Sequence, residues 1–232
     1  ATERAEQKRR ADEQAKAHEA AEAETARANA LINDLNDTLH ALAAQAKLEA
    51  IYLMNADGVV IATSNANAPH SFLDQNYGFR PYFQEALNGA RSDYFAIGAT
   101  SGRPGYFVAE PVTATQPDTA GVMAIKLDIS ELQRSWEQGQ EIVVAVNSDK
   151  IVVLASQPDW LYRPTTDLSV DQRTAILDSR QFGAESLTPL DWQEVGDNRI
   201  MLDGTRYLSA VSAADWRDWT IYYLHPERAV FR

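Results

Sequence analysis

Three short segments in the first half of the chain combine cationic, hydroxyl and aromatic side chains in a pattern suited to anion binding. Arg80 lies within the aromatic segment 76–83, and Lys126 lies on a short apolar strand. In the sequence between these two segments, Thr100 and Ser101 begin a turn that is rich in Gly and Pro. An Arg forks onto one carboxylate and a Lys offers a point charge to another, while hydroxyl and turn N–H groups satisfy the remaining lone pairs. Together the segments predict a pocket for a small dianion.

Each of these residues also has a purely structural explanation. Lys126 would lie exposed at a sheet edge or pair with an acid, and Arg80 would anchor a loop or form an ion pair, because buried cations need partners. Thr100 and Ser101 would cap their turn. Taken singly, the neighbouring aromatic residues are more typical of a hydrophobic core: Tyr77, Tyr82 and Tyr106. We favour the pocket because two cations and several hydroxyls converge in neighbouring segments.

The sequence contains no familiar catalytic or metal-binding motif. The four His residues form no ligand set, there is no Cys, and phosphate-binding loops and nucleophile elbows are lacking. Asp57-Gly58 resembles a fragment of a calcium loop, but the pair is far more typical of a tight turn. We therefore expect no metal, no cofactor and no enzymatic activity in this chain.

Composition narrows the class of protein further. The 232 residues include 33 acidic and 21 basic side chains, for a net charge of −12, which argues against nucleic-acid binding. The length suits one large domain or two small ones. No apolar run approaches the roughly 18 residues of a membrane helix, and the start lacks a signal peptide. We expect a soluble piece of a larger membrane protein, with the flanking transmembrane helices outside it.

The first 57 residues lack both Gly and Pro and are rich in Ala, Glu, Lys and Arg, which are strong helix formers. They predict one helix from near residue 3 to about 48, roughly 70 Å long. It is either a solvated helix with a local packing stripe or a dimerisation helix that carries a signal. The stripe consists of Leu31, Leu35, Leu39, Leu42 and Ala46.

After residue 50 the pattern changes to short β-rich runs separated by turns. An Asp-Gly turn between two apolar runs predicts a hairpin over 51–62, and Pro81 suits the start of a short helix that ends at Leu87. Further helices are predicted over 129–138 and 169–179. Further strands are predicted over 93–100, 106–113, 121–127, 188–194, 200–202, 206–211 and 219–224.

Residues 55–64 and 147–156 share one pattern, an Asn-x-Asp-x turn followed by an apolar run that ends in small hydroxylated residues. A period of about 90 residues indicates two tandem copies of an α+β domain rather than a solenoid. Short sequential connections favour antiparallel sheets. The predicted organisation is a long N-terminal helix followed by a ligand-binding domain and a second domain, over 1–48, 49–138 and 139–232.

The order of these motifs resembles the periplasmic sensor region of C4-dicarboxylate sensor histidine kinases of the DctB type, which are double-Cache (tandem PAS-like) sensors. The resemblance covers essentially the whole chain and is strongest over 50–135. It rests on the long helix, the Asp-Gly hairpin and three further segments, 76–83, 94–107 and 121–126.

The resemblance implies a periplasmic sensor that binds succinate, fumarate or malate in its membrane-distal domain. It also implies a homodimer through the N-terminal helix, a membrane-proximal domain that transmits the change, and a full-length histidine kinase. The positions that match the family's ligand-binding motif are Tyr77, Arg80, Thr100, Ser101, Gly102 and Lys126, with Tyr106 as a further wall. The sequence departs from the family at Ala99, where Thr is common, and at Arg103, where a small or apolar residue is usual.

Two alternatives remain open at this stage. A sensor or chemoreceptor for an amino acid or another carboxylate would need an acid to pair an ammonium group; Asp118 and Asp128 are available, but Lys126 argues against it. A ligand-free dimerisation module would explain the long helix but not the converging cations. In the second domain, segment 160–164 only faintly echoes the Arg80 motif, so we expect that domain to bind nothing specific.

Overall fold

The computed structural model describes residues 2–113, 119–183, 187–214 and 218–227. Helix α1 spans Thr2–Ala46, in agreement with the predicted long helix. It ends in a Schellman motif, in which Leu48 N–H donates to the Ala43 carbonyl at 2.9 Å and Lys47 adopts a φ of 54°. Within the described residues, no helix is both long enough and apolar enough to cross a membrane.

Only the last third of α1 packs against the rest of the chain. Every described side chain from residue 6 to residue 31 is exposed. Leu39 and Ala43 are buried against the first sheet, whereas Leu31 and Leu42 are 67% and 48% exposed. The predicted stripe is therefore divided, because the buried face follows the helical steps from 39 to 43 and leaves two leucines in solvent.

The first sheet is antiparallel, with strand order β2-β1-β5-β4-β3. Asn55 accepts hydrogen bonds from two N–H groups of the β1–β2 turn, and Gly58 supplies the left-handed residue (φ 81°), as the Asp-Gly turn predicted. The five strands are β1 (Ala50–Asn55), β2 (Val60–Thr63), β3 (Ser92–Ile97), β4 (Pro104–Thr113) and β5 (Thr119–Asp128), and helix α2 is Pro81–Leu87.

The second sheet repeats the first and adds one strand, with helix α3 (Ser130–Gln138) as the connection. Its order is β7-β6-β11-β10-β9-β8, again antiparallel. A short 3-10 turn, Pro158–Trp160, follows β7. The elements are β6 (Ile142–Val146), β7 (Val152–Ala155), α4 (Val170–Asp178), β8 (Trp192–Gly196), β9 (Arg199–Leu202), β10 (Thr205–Ala214) and β11 (Trp219–Pro226).

The predicted repeat is confirmed in its hydrogen bonds. Ser64 accepts from Ile51 N–H at 2.9 Å, and Ser156 accepts from Val143 N–H at 2.8 Å. Both hydroxylated residues close the base of a hairpin, which explains why each apolar run ends in Ser. The α+β fold of a long helix and two PAS-like units with antiparallel sheets agrees with the sequence.

Two predicted strands extend over residues that are not in a strand, and others are longer than predicted, such as β10, which continues to Ala214. β3 ends at Ile97 rather than 100, because Gly98 N–H donates to the Arg103 carbonyl and closes a turn. Residues 188–191 are not in a strand, since Leu190 N–H donates to the Pro164 carbonyl and its side chain packs into the second core. β8 therefore begins at Trp192.

The two faces of the first sheet have different neighbours. One face is covered by α2 and the loop before it, around Tyr52 and Phe107. The opposite face meets α1 and, further along, the second unit, where the ring of Phe95 lies 5.8 Å from that of Trp219. The free edge of β3 is covered by Gln181, whose carbonyl accepts from Ile97 N–H and whose amide donates to the Phe95 carbonyl. The two units thus share a core and a sheet edge.

Candidate ligand-binding site

Arg80 and Lys126, the two cations singled out by the sequence, lie on the same face of the first sheet and flank the β3–β4 turn. Arg80 immediately precedes α2, where Pro81 occupies the first helical position. Lys126 is near the end of β5, and strand alternation puts it on the same buried face as Val122 and Ala124. Their exposed fractions are 1% and 0%, so each charge is removed from water.

Arg80 binds three backbone carbonyl oxygens. Its Nη2 donates to Ile97 at 2.7 Å, and its Nη1 donates to Ser179 at 3.0 Å and to Arg180 at 3.1 Å. The last two carbonyls follow the C-terminus of α4, where the helix dipole favours a cation. Among the described residues, no carboxylate forms an ion pair with Arg80. Its buried charge is therefore met by these carbonyl dipoles and by the face of the Phe79 ring, whose centroid lies 5.2 Å from Cζ of Arg80.

Lys126 uses all three of its N–H donors. Nζ donates to Glu49 Oε1 at 2.7 Å, to Ser101 Oγ at 2.8 Å and to the Arg103 carbonyl at 3.3 Å. Burial lowers the pKa of Lys126 below its ordinary value, while the hydrogen bond and charge of Glu49 act in the opposite direction. The ammonium is thus held at the turn by an acid, a hydroxyl and a carbonyl.

Two glycines make room for the Lys126 side chain. A Cβ at Gly105 would overlap Cε of Lys126, and a Cβ at Gly98 would overlap Ser101 Oγ and lie 3.0 Å from Lys126 Nζ. Both positions begin or end the turn that the sequence marked as rich in Gly. The turn is therefore shaped around the ammonium group.

Hydroxyl groups of three tyrosines and of Thr100 complete the site on the Arg80 side. Tyr77 and Thr100 share a hydrogen bond of 2.7 Å between their oxygens, and Tyr52 and Tyr82 share one of 2.8 Å. Burial raises the pKa of the Tyr77 hydroxyl, so it stays neutral and can donate. A cavity of about 10 Å³ lies between these groups, lined by Phe72, Tyr77, Arg80, Tyr82, Gly98, Ala99, Thr100 and Phe107.

The structure brings six of the seven predicted site residues to this turn and places the seventh elsewhere. Gly102 is the left-handed residue of the turn (φ 64°), and its N–H donates to the Gly98 carbonyl. Tyr106 faces the opposite side of the sheet, where its ring lies 6.2 Å from that of Trp219. Its strand neighbour Phe107 faces the cavity instead, 5.8 Å from the Lys126 ammonium. We therefore leave Tyr106 out of the site.

Glu49 is the site residue that the sequence analysis missed. It lies between α1 and β1, and the pairing of Ala50 with Lys126 brings it to the end of β5. Its Oε1 also accepts from Arg103 Nη2 at 3.0 Å. Of the two acids considered earlier, Asp128 accepts from Ser130 N–H at the start of α3, and Asp118 lies outside the described residues. The only sequence signal was an acid preceding an apolar strand.

Two larger clefts occur. One of about 520 Å³ lies between α1 and the loop after β2, includes His40 and Asn67, and reaches Glu49, the acid that pairs with Lys126. Another of about 420 Å³ lies between the two units, with Asp93, Asp149 and Asp218 at its walls. Over the part of the chain that the structure describes, no cluster of His or acidic residues has the arrangement of a metal site. Neither cleft combines buried cations with hydroxyl donors.

The chain matches the Cache domain family (dCache_1) over residues 5–232. It is 30% identical to the C4-dicarboxylate transport sensor protein DctB of Rhizobium meliloti over 184 residues, 79% of this chain and 29% of that protein. It is 26% identical to the DctB of Pseudomonas aeruginosa over 197 residues, 85% of this chain and 30% of that protein. The chain thus spans only 29% and 30% of the length of these curated relatives.

Solved structures agree with the sequence comparison. The crystal structure of the V. cholerae histidine kinase DctB sensor domain has a TM-score of 0.76 and 30% identity, covering 88% of this chain and 81% of that chain. The periplasmic domain of RsbU from Chlamydia trachomatis, with a TM-score of 0.62 and 12% identity, shares the fold. This chain therefore belongs to the Cache domain family, as a sensor region of the DctB type.

Proposed function

We propose that this chain is the extracytoplasmic sensing region of a two-component histidine kinase and that its first domain binds a C4-dicarboxylate. Succinate, fumarate or malate would place one carboxylate on Arg80 and the other on Lys126. The observation that supports this most strongly is the buried guanidinium of Arg80, which has no acidic partner among the described residues. A buried charge without a counterion is costly, and a ligand carboxylate would supply one.

The hydroxyl pair between the cations gives the ligand its remaining contacts. Tyr77 and Thr100 are within hydrogen-bonding distance of each other and line the cavity beside Arg80. The cavity has room for about one water molecule, so a four-carbon ligand requires the turn over 98–103 to move. Ala99, Gly102 and Arg103 on that turn are exposed, which makes its displacement inexpensive. We propose this turn as the lid of the site.

The remaining parts of the chain would carry the signal. We assign residues 49–138 to a membrane-distal ligand domain and 139–232 to a membrane-proximal transmitter. The contact of Arg80 with the end of α4 links the two. Leu31 and Leu42 are eleven residues apart, three helical turns on one face of α1, and support a homodimer through this helix. Sedimentation of L31A/L42A, expected to be more monomeric than wild type, tests that interface.

A second candidate function is an amino-acid sensor, and Glu49 is the observation that favours it. Its Oε2 is buried without a hydrogen bond, and an ammonium group would pair with it. Lys126 and Arg103 already supply two cations to this carboxylate, so a third would bring repulsion. The dicarboxylate fits the charges better, and aspartate in the ligand panel separates the two functions.

Thermal unfolding with a panel of small anions tests the proposal. At 100 times its Kd a ligand contributes about 2.7 kcal/mol, a shift of about 5–10 °C for a chain of this size. We expect such shifts with succinate, fumarate or malate and none with acetate. R80M should abolish them, while R91M, which removes a similar charge at a 62% exposed side chain, should not. No shift with any dicarboxylate, or an equal shift with aspartate, would contradict the proposal.

A further inference from the structure

Glu49 is buried in the site, yet only half of its carboxylate is used. Its side chain is 9% exposed, and Oε1 accepts hydrogen bonds from both Lys126 and Arg103. Oε2 is buried and has no hydrogen-bond partner among the described residues. Buried carboxylate oxygens normally have partners, so this arrangement favours a change of partner over a permanent ion pair.

The ammonium of Lys126 has no N–H left for a ligand. An ammonium has three donors, and here they go to Glu49, Ser101 and the Arg103 carbonyl. A ligand carboxylate therefore reaches Nζ only by replacing one of these acceptors. Glu49 offers the same chemical group as the ligand, so exchanging it keeps the buried ammonium paired with a negative charge.

We propose that Glu49 is a built-in competitor that occupies Lys126 and yields it to the ligand's carboxylate, with Arg103 as the partner that then holds Glu49. This inference rests on the proposed function. Arg103 is suited to the role because its Nη2 is already 3.0 Å from Oε1 and its side chain is 58% exposed, free to follow. A guanidinium fork accommodates both oxygens of a carboxylate, which would also give Oε2 its missing partner.

The charges of the site agree with retention of Glu49 after the exchange. Arg80, Lys126, Arg103 and Arg180, which shares the Phe79 ring with Arg80, provide four positive charges, and Glu49 and Asp128 provide two negative charges. The two remaining positive charges match a dianion, whereas a monocarboxylate would leave one cation unpaired. Glu49 thus sets both the affinity for the ligand and the preference for two carboxylates.

The competitor lies at the connection between α1 and the sheet. α1 ends at Ala46, and three residues later the N–H of Glu49 donates to the Lys126 carbonyl at 2.9 Å. Lys47, within this connection, is a non-Gly residue with φ 54°. The exchange of carboxylates therefore takes place where a shift of α1 would begin.

Calorimetric titration of succinate into wild type, E49Q and E110Q tests the inference. E49Q keeps the size of the side chain but removes the competing charge, so its affinity should rise at least about tenfold, the effect of one charge-assisted hydrogen bond. E110Q changes the net charge equally at a 61% exposed side chain that pairs with Arg91, and its affinity should stay within about twofold of wild type. E49D, whose shorter carboxylate loses reach to Lys126, should also gain affinity and serves if E49Q folds poorly.

The R103Q substitution in two backgrounds separates competition from a general charge effect. In wild type it removes the alternative partner of Glu49, so succinate affinity should fall several-fold. In E49Q no displaced carboxylate needs a new partner, so the same substitution should lower succinate affinity much less. An equal cost in both backgrounds would overturn the role of Arg103.

The outcomes distinguish this inference from the proposed function. If wild type and E49Q both bind succinate with equal affinity, or E49Q binds more weakly, Glu49 is not a competitor and the proposed function stands. If neither binds any C4-dicarboxylate, the proposed function fails and the inference fails with it. Tighter binding by E49Q but not E110Q supports both.

Discussion

The guanidinium of Arg80 lies 3.0 Å from the carbonyl oxygen of Ser179, which is 99 residues further along the chain and belongs to the second unit. One side chain thus contributes to the candidate pocket of the first unit and caps the C-terminus of a helix in the other. A ligand carboxylate at Arg80 would compete with the carbonyls of Ser179 and Arg180. Under the proposed function, ligand binding and the contact between the two units would be coupled through a single group.

Substitution of Arg80 should cost stability as well as binding. R80M removes the guanidinium donor from three carbonyl oxygens, of which that of Arg180 keeps the N–H of Gly183, and we expect the free energy of unfolding to fall by about 3 kcal/mol. R80K keeps the charge but not the forked guanidinium, so its loss of unfolding free energy should lie between that of wild type (none) and that of R80M. Urea denaturation measures both, with the exposed R91M as a control that should change by less than about 1 kcal/mol. A loss as small as the control's would show that Arg80 does not join the units.

The space above Gly105 should be reserved for Lys126. G105A places a Cβ against Cε of Lys126, and overpacking of this kind costs about 1–3 kcal/mol. In a K126A background the obstructing atoms are gone, so the same substitution should cost well under half as much. A double-mutant cycle of unfolding free energies measures the difference. Equal costs in both backgrounds would show that the Cβ of G105A overlaps the backbone rather than the Lys126 side chain.

Dicarboxylate binding should weaken as the pH rises toward 10.5, because Lys126 must be charged to bind a carboxylate. Burial lowers the pKa of Lys126 below its ordinary value of 10.5, with Arg103 acting in the same direction and Glu49 and Asp128 opposing it. Succinate affinity should therefore start to fall at a lower pH than an exposed lysine would require. Titrations between pH 7 and 10 at constant ionic strength measure this.

The contribution of Lys126 to stability should rise with pH over the range in which succinate affinity falls. A lowered pKa means that the unfolded chain binds more protons than the folded chain between the pKa of folded Lys126 and 10.5. The contribution of Lys126 to the free energy of unfolding therefore rises with pH in that window. Tyrosines titrate in the same range of pH, so the contribution of Lys126 is obtained as the difference in unfolding free energy between wild type and K126M. A difference that is flat with pH would show that the pKa of Lys126 is ordinary.

The second unit should tolerate loss of its corresponding arginine without a change in ligand affinity. Arg163 donates to the carbonyl of Thr188 at 3.1 Å and to that of Pro189 at 2.8 Å, which anchors a loop. R163M should lower the free energy of unfolding by about 1–3 kcal/mol but leave succinate binding unchanged. Calorimetry on R163M beside R80M makes the comparison. Weaker binding by a folded R163M would assign the second unit a direct part in the site.

Local patterns in the sequence were sufficient for most of the elements and for most of the residues that meet at the β3–β4 turn. The Asp-Gly turn and the apolar runs around it predicted the hairpin, and the apolar run over 121–127 predicted the strand that carries Lys126. The long helix followed from composition alone. Each of these depends on residues that are near one another in the chain, where periodicity and turn chemistry act.

The features that the sequence did not predict, or predicted wrongly, depend on pairing between distant segments. Glu49 reaches Lys126 only because β1 pairs with β5, which no local pattern indicates. Tyr106 and Phe107 are adjacent, and which of them faces the pocket is decided by the pairing of Phe107 with Lys126. The partners of Arg80 in the second unit require the packing of one unit on the other, which the sequence did not reveal.

A crystal structure with succinate tests the central claim most directly. We predict one carboxylate within about 3 Å of the Arg80 guanidinium and the other at the same distance from Lys126 Nζ, the usual length of charge-assisted hydrogen bonds. The turn over 98–103 should be displaced to admit the ligand. Succinate bound instead in the cleft beside α1 or in the cleft between the two units, with Arg80 and Lys126 keeping their present partners, would contradict the account.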